Sequence, residues 1–130
     1  MSTATSIKVA PPNCLVFVSD RVNRKVPEIT RGSSLWATSS CILIGCLAFM
    51  DGETEIVLGD VDEVGKSEPP ALDRELETPF RTVEVSTSEG DVLLRRSVAG
   101  VRTHIRVWTN HPTEPDKIVI GVRSKMSEGI

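Results

Sequence analysis

The sequence predicts an all-β fold, most simply an antiparallel β-sandwich, with a closed barrel as the alternative. Short runs rich in valine, isoleucine and threonine alternate between apolar and polar residues, which is typical of half-buried strands. The runs recur about every eight to twelve residues and are separated by glycine, proline, aspartate and asparagine, as in sandwiches and barrels. No long stretch shows the apolar stripe of an amphipathic helix, so we expect at most one short helix.

About eight or nine strands are expected, because each apolar run ends at a turn signal. Pro11 and Pro12 separate the first two strands, since proline has no N–H to donate to a β-ladder. Gly52 and Gly90 mark two hairpin turns, because glycine accepts the positive φ that tight turns require. The predicted strands cover residues 6–9, 15–19, 35–38, 41–47, 53–58, 81–87, 92–98, 102–109 and 117–123.

All 130 residues are expected to form one domain, because single hydrophobic cores usually span about 100–200 residues. Residues 59–79 interrupt the strand rhythm, since they are acidic and contain three of the eight prolines. We expect them to form an acidic, irregular excursion at the surface of that domain. Within them, residues 70–77 are the candidate for the short helix, because Leu72 and Leu76 lie four residues apart.

The charge is unevenly distributed along the chain, whose formal net charge is -3. Residues 51–79 hold ten acidic and two basic side chains, a net of -8. Residues 1–50 have a net charge of +3 and residues 80–130 a net charge of +2. One middle segment therefore carries the whole negative excess.

Six carboxylates of this segment form the first predicted interaction surface, for a basic protein partner such as a nuclease, a toxin or another nucleic-acid-binding protein. Complementary fields of this kind speed encounter and reject wrong partners. An acidic inhibitor or immunity-type protein, whose carboxylates mimic phosphates, is one specific form of this hypothesis. Two alternatives stay open: a solvated loop answered by nearby arginines, and a calcium site built on the same oxygens. The six residues are Asp51, Glu53, Glu55, Asp60, Asp62 and Glu63.

Strict alternation between residues 101 and 110 predicts a second interaction surface. Ile105 and Val107 belong to the apolar face, which should pack on the core. The other face should expose two arginines, a histidine and a tryptophan, and arginine and tryptophan are enriched at the energetic centres of interfaces. Cross-strand salt bridges, with the tryptophan turned under the loop 110–116, are the alternative. The outward residues are Arg102, His104, Arg106 and Trp108.

No catalytic motif can be recognised. The chain has two histidines, His104 and His111, and it lacks the Cys-x-x-Cys, Gly-x-Ser-x-Gly and Gly-rich phosphate-loop patterns. We therefore expect no metal or cofactor and favour a non-catalytic protein-binding module, with catalysis left open. The alternative function is a small β-barrel that binds or transforms an anionic ligand through His104 and the nearby arginines.

Cysteine usage and hydropathy indicate the compartment. Cys14, Cys41 and Cys46 all lie in apolar runs and are expected as buried free thiols, and Trp36 as a core residue. The first residues lack a secretory pattern, and the apolar stretch 41–50 is far shorter than the about twenty residues that span a bilayer. We predict a cytoplasmic protein without membrane contact. A homodimer through an edge strand also fits the pattern, whereas an acidic chain without tyrosine disfavours nucleic acid as a partner.

Overall fold

The computed structural model describes residues 4–21 and 24–124, and within them the chain forms ten strands and one short helix. The helix α1 spans Val61–Val64, and two 3-10 turns span Pro12–Cys14 and Phe49–Asp51. The strands are β1 (Thr5–Val9), β2 (Leu15–Ser19), β3 (Leu35–Ala37), β4 (Cys41–Gly45), β5 (Thr54–Asp60), β6 (Leu72–Glu77), β7 (Thr82–Ser86), β8 (Val92–Ser97), β9 (Arg102–Thr109) and β10 (Lys117–Ser124).

The strands form two five-stranded sheets, in the orders β1-β5-β10-β9-β6 (the first sheet) and β3-β4-β2-β7-β8 (the second sheet). The predicted sandwich is confirmed, and the alternative of a closed barrel is wrong for the described chain. Neighbouring strands pair antiparallel except β5 and β10, which are parallel, so the first sheet is mixed. The edge strands β1, β6, β3 and β8 are those that an edge-to-edge homodimer would use, and that homodimer stays a prediction.

The main core lies between the sheets and follows the predicted alternation. Ile105 and Val107 of β9 are fully buried, whereas Arg102 on the other face of the same strand is exposed. Burying an aliphatic side chain of this size stabilises a fold by about 1.5–3 kcal/mol, so a one-residue slip of β9 would be strongly unfavourable. The central strands contribute Val16, Val18, Ile42, Ile44, Ile56, Leu58, Ile105, Val107, Ile118 and Ile120.

The outer face of the second sheet carries a separate apolar cluster. The segment 24–34 crosses this face, because β2 ends at one end of the sandwich and β3 begins at the other. Arg24 lies over the Phe17 ring, 4.7 Å from its centroid. Trp36, which was expected in the core, is half-buried at the margin of this cluster, and its Nε1 donates to Thr30 Oγ1 at 3.1 Å. The buried members of the cluster are Phe17, Cys41 and Leu43.

Residues 59–79 are more regular than predicted. They contain the end of β5, helix α1 and the edge strand β6. The expected helix at residues 70–77 is wrong, because residues 72–77 form a strand that pairs with β9. Leu72 and Leu76 share a face in either case, since a spacing of four is one helical turn and also an even number of strand positions. No helix among the described residues is long and apolar enough to cross a membrane.

Candidate functional site

The strand directions gather four connections at one end of the sandwich. β2, β3, β5, β6, β8 and β10 begin at this end, and β1, β4, β7 and β9 finish there. The connections are residues 10–14, 46–53, 87–91 and 110–116, and we call the surface that they form the acidic end. Consecutive strands at this end are joined directly, so segments far apart in sequence meet on one surface.

The acidic end is named for its charge. Its four connections contribute six carboxylates and contain no lysine or arginine. All six side chains are exposed to solvent. Lysines lie at its border: Lys8 and Lys117 flank Glu55 on the outer face of the first sheet and line one groove with Glu53 and Asp116, and Lys66 lines another groove with Asn110. The six carboxylates are Asp51, Glu53, Glu89, Asp91, Glu114 and Asp116.

Hydrogen bonds between the connections hold this surface in one arrangement. Leu47 N donates to Pro115 O at 3.0 Å, which joins residues 46–53 to residues 110–116. Asn13 Nδ2 donates to Ser88 Oγ at 2.7 Å, which joins residues 10–14 to the hairpin 87–91. These bonds order the loops before any partner arrives, and ordering that is already present lowers the entropic cost of binding.

The loop 110–116 is further fixed by its own side chains. Asn110 Oδ1 accepts from Asp116 N at 3.1 Å and from Lys117 N at 3.2 Å, so one amide closes the loop at its base. His111 Nδ1 accepts from Glu114 N at 3.0 Å, which turns the chain at the tip. His111 therefore has a structural role in the loop.

One large apolar side chain projects from the acidic end. Met50 is 81% exposed and lies in the 3-10 turn Phe49–Asp51, beside the carboxylate of Asp51. The turn ends at Gly52, whose φ of 136° is in the region that glycine adopts without strain. Methionine is flexible and polarizable, so it packs well into irregular apolar pockets of a partner.

The six acidic residues predicted from the sequence do not lie together. Asp51 and Glu53 belong to the acidic end, and Glu55 follows at the start of β5, 3.9 Å from Lys117 Nζ. The other three residues lie at the far end of β5 or just beyond it, and six residues of strand extend over about 20 Å. They are Asp60, Asp62 and Glu63.

The three residues at the far end have local roles. Asp60 caps α1, since its Oδ1 accepts from Asp62 N at 2.8 Å. Asp62 Oδ1 lies 2.5 Å from Arg123 Nη2. Glu63 Oε1 lies 4.0 Å from Arg96 Nη2, which ties α1 to the second sheet. Within residues 4–21 and 24–124, no three histidine, cysteine, aspartate or glutamate side chains are grouped closely enough to hold a metal ion, calcium included.

The predicted outward face of β9 forms a row of ion pairs with β6. Arg106 Nε lies 3.3 Å from Asp73 Oδ2, and His104 Nε2 also contacts that carboxylate. Arg102 Nη1 lies 3.7 Å from Glu75 Oε1. The two arginines and the histidine each contact a carboxylate of the neighbouring strand, which is the arrangement of cross-strand pairs on a sheet surface.

Trp108 is not part of an exposed surface, so the prediction of an outward, accessible tryptophan is wrong. It is 3% exposed and packs against Val61 and Val119, and its Nε1 donates to Glu68 O at 2.9 Å. β5 finishes at one end of the sandwich and β6 begins at the other, so the connection between them must cross the outer face of the first sheet. Gly121 leaves room for that crossing, because a Cβ there would lie 3.1 Å from the Cα of Val61.

The cysteines are free, as predicted; Cys41 and Cys46 are buried, whereas Cys14, which was also expected to be buried, is half-buried. Burial raises the pKa of the Cys41 thiol from 9.0 to about 11, against a smaller opposing effect of Arg24. Burial also raises the pKa of Cys46 from 9.0 to about 11, against a smaller opposing effect of the nearby Thr54 side chain. Both thiols therefore stay protonated near neutral pH and are poor nucleophiles.

Comparison with solved structures finds this fold in a known protein. The structure of ComJ from Bacillus subtilis, an inhibitor of the DNA degrading activity of NucA, superposes with a TM-score of 0.67. The match covers 95% of this chain and 98% of the ComJ chain, at 12% sequence identity. Neither a scan against models of protein families nor a search of curated protein sequences gave a match. The chain therefore has a ComJ-like fold.

Proposed function

We propose that this chain is a non-catalytic protein that binds a basic protein partner through its acidic end and inhibits that partner. The observation that carries the proposal is the convergence of six exposed carboxylates, without lysine or arginine, on four connections of one end. The ComJ-like fold supports the inhibitor form of the proposal, because ComJ is an inhibitor of a DNA-degrading activity.

A DNA-degrading enzyme fits the chemistry of this surface. Proteins that bind nucleic acid place lysine and arginine where the phosphates lie. Carboxylates on loops with fixed hydrogen bonds can occupy the same positions and block access of the polyanion. The opposite charges also steer the encounter, and steering raises association rates by about ten- to a thousand-fold at low salt. We therefore propose a nuclease, or another protein with a basic nucleic-acid-binding cleft, as the partner.

Met50 supplies the apolar contact that the carboxylates lack. Charged pairs at the rim of an interface contribute specificity and rate more than affinity. Affinity comes from a few side chains that fill pockets at its centre. Met50 is the most exposed large apolar side chain of the described residues. We place it at the centre of the contact and the carboxylates around it.

The three free cysteines support a proposal about the cellular compartment in which the protein acts. Extracellular and periplasmic domains of this size commonly use disulfides, whereas cytoplasmic proteins keep their thiols reduced. Free thiols at Cys14, Cys41 and Cys46 fit a reducing environment. We propose that the chain acts in the cytoplasm.

Two variants with matched charge changes test where the partner binds. Both replace one aspartate and two glutamates by their amides, so their net charges are equal. Among the described residues, no hydrogen bond or ion pair reaches the three carboxylates replaced at the acidic end, so the loops should keep their structure. The acidic-end variant is Asp51→Asn, Glu53→Gln, Glu89→Gln. The control variant is Asp62→Asn, Glu28→Gln, Glu77→Gln.

Capture from a native lysate with the wild-type protein and both variants gives the readout. We expect a basic protein that the wild type and the control variant retain and the acidic-end variant loses. The captured protein is then assayed for degradation of a fluorogenic DNA substrate, which the wild-type chain should suppress. Equal retention by both variants would overturn the assignment of the surface, and undiminished DNA degradation in the bound state would overturn inhibition.

A further inference from the structure

The end of the sandwich opposite the acidic end carries helix α1, with Asp60, Asp62 and Glu63, and two connections that are hydrogen-bonded to each other. Thr78 N donates to Val101 O at 2.8 Å, and Thr78 Oγ1 donates to Gly100 O at 2.8 Å. Val98 N donates to Arg81 O at 3.0 Å. Thr78 is fully buried, so these bonds are shielded from water. Residues 78–81 and 98–101 therefore form one ordered surface, which we call the arginine end.

Two apolar side chains are exposed on the arginine end. Phe80 is 45% exposed and Val101 is 53% exposed. The guanidinium carbon of Arg21 lies 5.6 Å from the centroid of the Phe80 ring, and Phe80 N donates to Asp20 Oδ2 at 2.6 Å. An aromatic side chain held in this way loses little conformational entropy on binding, which is the property of an interface anchor.

Two exposed guanidinium groups flank these apolar side chains, that of Arg21 over the Phe80 ring and that of Arg81 next to Phe80 in the chain. Arg102 is also exposed at this end and is paired with Glu75, and the nearby carboxylates are the exposed Glu77 and the buried Asp20. Arg81 adopts φ 55°, a conformation that is uncommon for residues other than glycine. Such backbone strain persists only where the surroundings fix it, and it is concentrated at functional sites.

The patch around Phe80 is thus complementary to the acidic end. One end presents Met50 among carboxylates, and the other presents Phe80 and Val101 among arginines. We propose that the arginine end docks the acidic end of a second copy of this chain, so that molecules associate head to tail. Met50 of one copy contacts Phe80 and Val101 of the next, and the carboxylates beside Met50 pair with Arg21 and Arg81.

The geometry sets the character of this association. A contact between two different surfaces of identical molecules is heterologous, so it extends into open chains when the rotation does not close a ring. The ends of so small a sandwich offer little area, and contacts below about 1,200 Å² of total buried surface are weak and transient. The association also covers the acidic end, so it competes with the proposed basic protein partner. It would therefore hold the inhibitor in reserve at high concentration.

Sedimentation equilibrium of the full chain tests the proposal, because it measures mass against protein concentration and salt. Two variants each block one end: Met50→Lys at the acidic end and Phe80→Asp at the arginine end. Both side chains are exposed, so neither change removes core packing, and circular dichroism checks the fold of each variant. An equimolar mixture of the two variants retains one intact arginine end and one intact acidic end.

We expect the average mass of the wild type to rise with concentration at low salt and to fall back when salt is added. Each variant alone should be monomeric, and their mixture should form a dimer and nothing larger. A monomeric wild type at high concentration and low salt would overturn the proposal, as would a mixture that stays monomeric. Capture of the basic partner by Phe80→Asp, which keeps the acidic end, separates this outcome from a failure of the proposed function.

Discussion

Replacing Trp108 should cost far more stability than an outward strand position normally would. The side chain is 3% exposed beneath α1, where it packs against Val61 and Val119. Truncating a buried tryptophan to alanine typically costs about 3–5 kcal/mol. Trp108→Phe keeps most of the packing and loses the Nε1 hydrogen bond to Glu68 O, so it should cost about 1 kcal/mol.

Urea unfolding followed by far-ultraviolet circular dichroism measures these losses, because that signal does not depend on the tryptophan that is removed. The free energy of unfolding in water is obtained by linear extrapolation. Trp36→Ala is the matched control, and it should cost less because Trp36 is only half-buried at an edge strand. A loss below about 1 kcal/mol for Trp108→Ala, as for exposed positions, would refute the packing of α1 on the first sheet.

Two further predictions concern packing and the thiols. Gly121→Ala should destabilise the fold by about 1–3 kcal/mol in the same urea assay, because the new methyl group overlaps the backbone of α1; Gly45→Ala, whose Cβ meets only ordinary contacts from 3.5 Å, is the control and should cost less. The raised pKa values of Cys41 and Cys46 mean that the unfolded chain releases these protons first as the pH rises from 9.0 to about 11. The free energy of unfolding should therefore fall across that window. The fall should be smaller in Cys41→Ala and in Cys46→Ala, each compared with its own value at the start of the window so that the lost packing cancels. A wild-type stability that does not change with pH would contradict this prediction.

The sheet layers could be predicted from the sequence because their patterns are locally unambiguous. The β9 residues Ile105 and Val107 are β-branched and alternate with polar residues, and no helix places such residues on one face. The strand β6 could not be assigned in the same way. Its sequence is charged, because it is an edge strand, and its two leucines fit either periodicity. Pairing with β9 decides the outcome, and that contact is tertiary.

The face of Trp108 was predicted correctly and its exposure was not. Its strand partner Val119 confirms that it points away from the central core. Alternation gives the side of the sheet on which a residue lies, but it does not indicate what covers that side. Here a chain crossing between the two ends of the sandwich covers it, and such a crossing depends on the order and direction of all strands.

The acidic end shows the same limit for charge. Counting charge along the chain identified Asp51 and Glu53, which lie in the most acidic segment. It missed the carboxylates of residues 87–91 and 110–116, because there the count averages them with the arginines of β8 and β9. Sorting the connections by the end of the sandwich at which they lie separates the two groups. The grouping of these carboxylates can therefore be found from the sequence once the direction of each strand is known.

The most direct test of this account is to map where a simple polycation binds. Titration of the isotope-labelled protein with a short oligolysine peptide, followed by amide chemical shifts, reports the site without any assumption about the natural partner. We predict that the largest shifts fall in residues 46–53, 87–91 and 110–116 and that salt abolishes them. Shifts centred instead on α1 and β6, where the chain's most acidic segment continues, would contradict the claim that the acidic end is the binding surface.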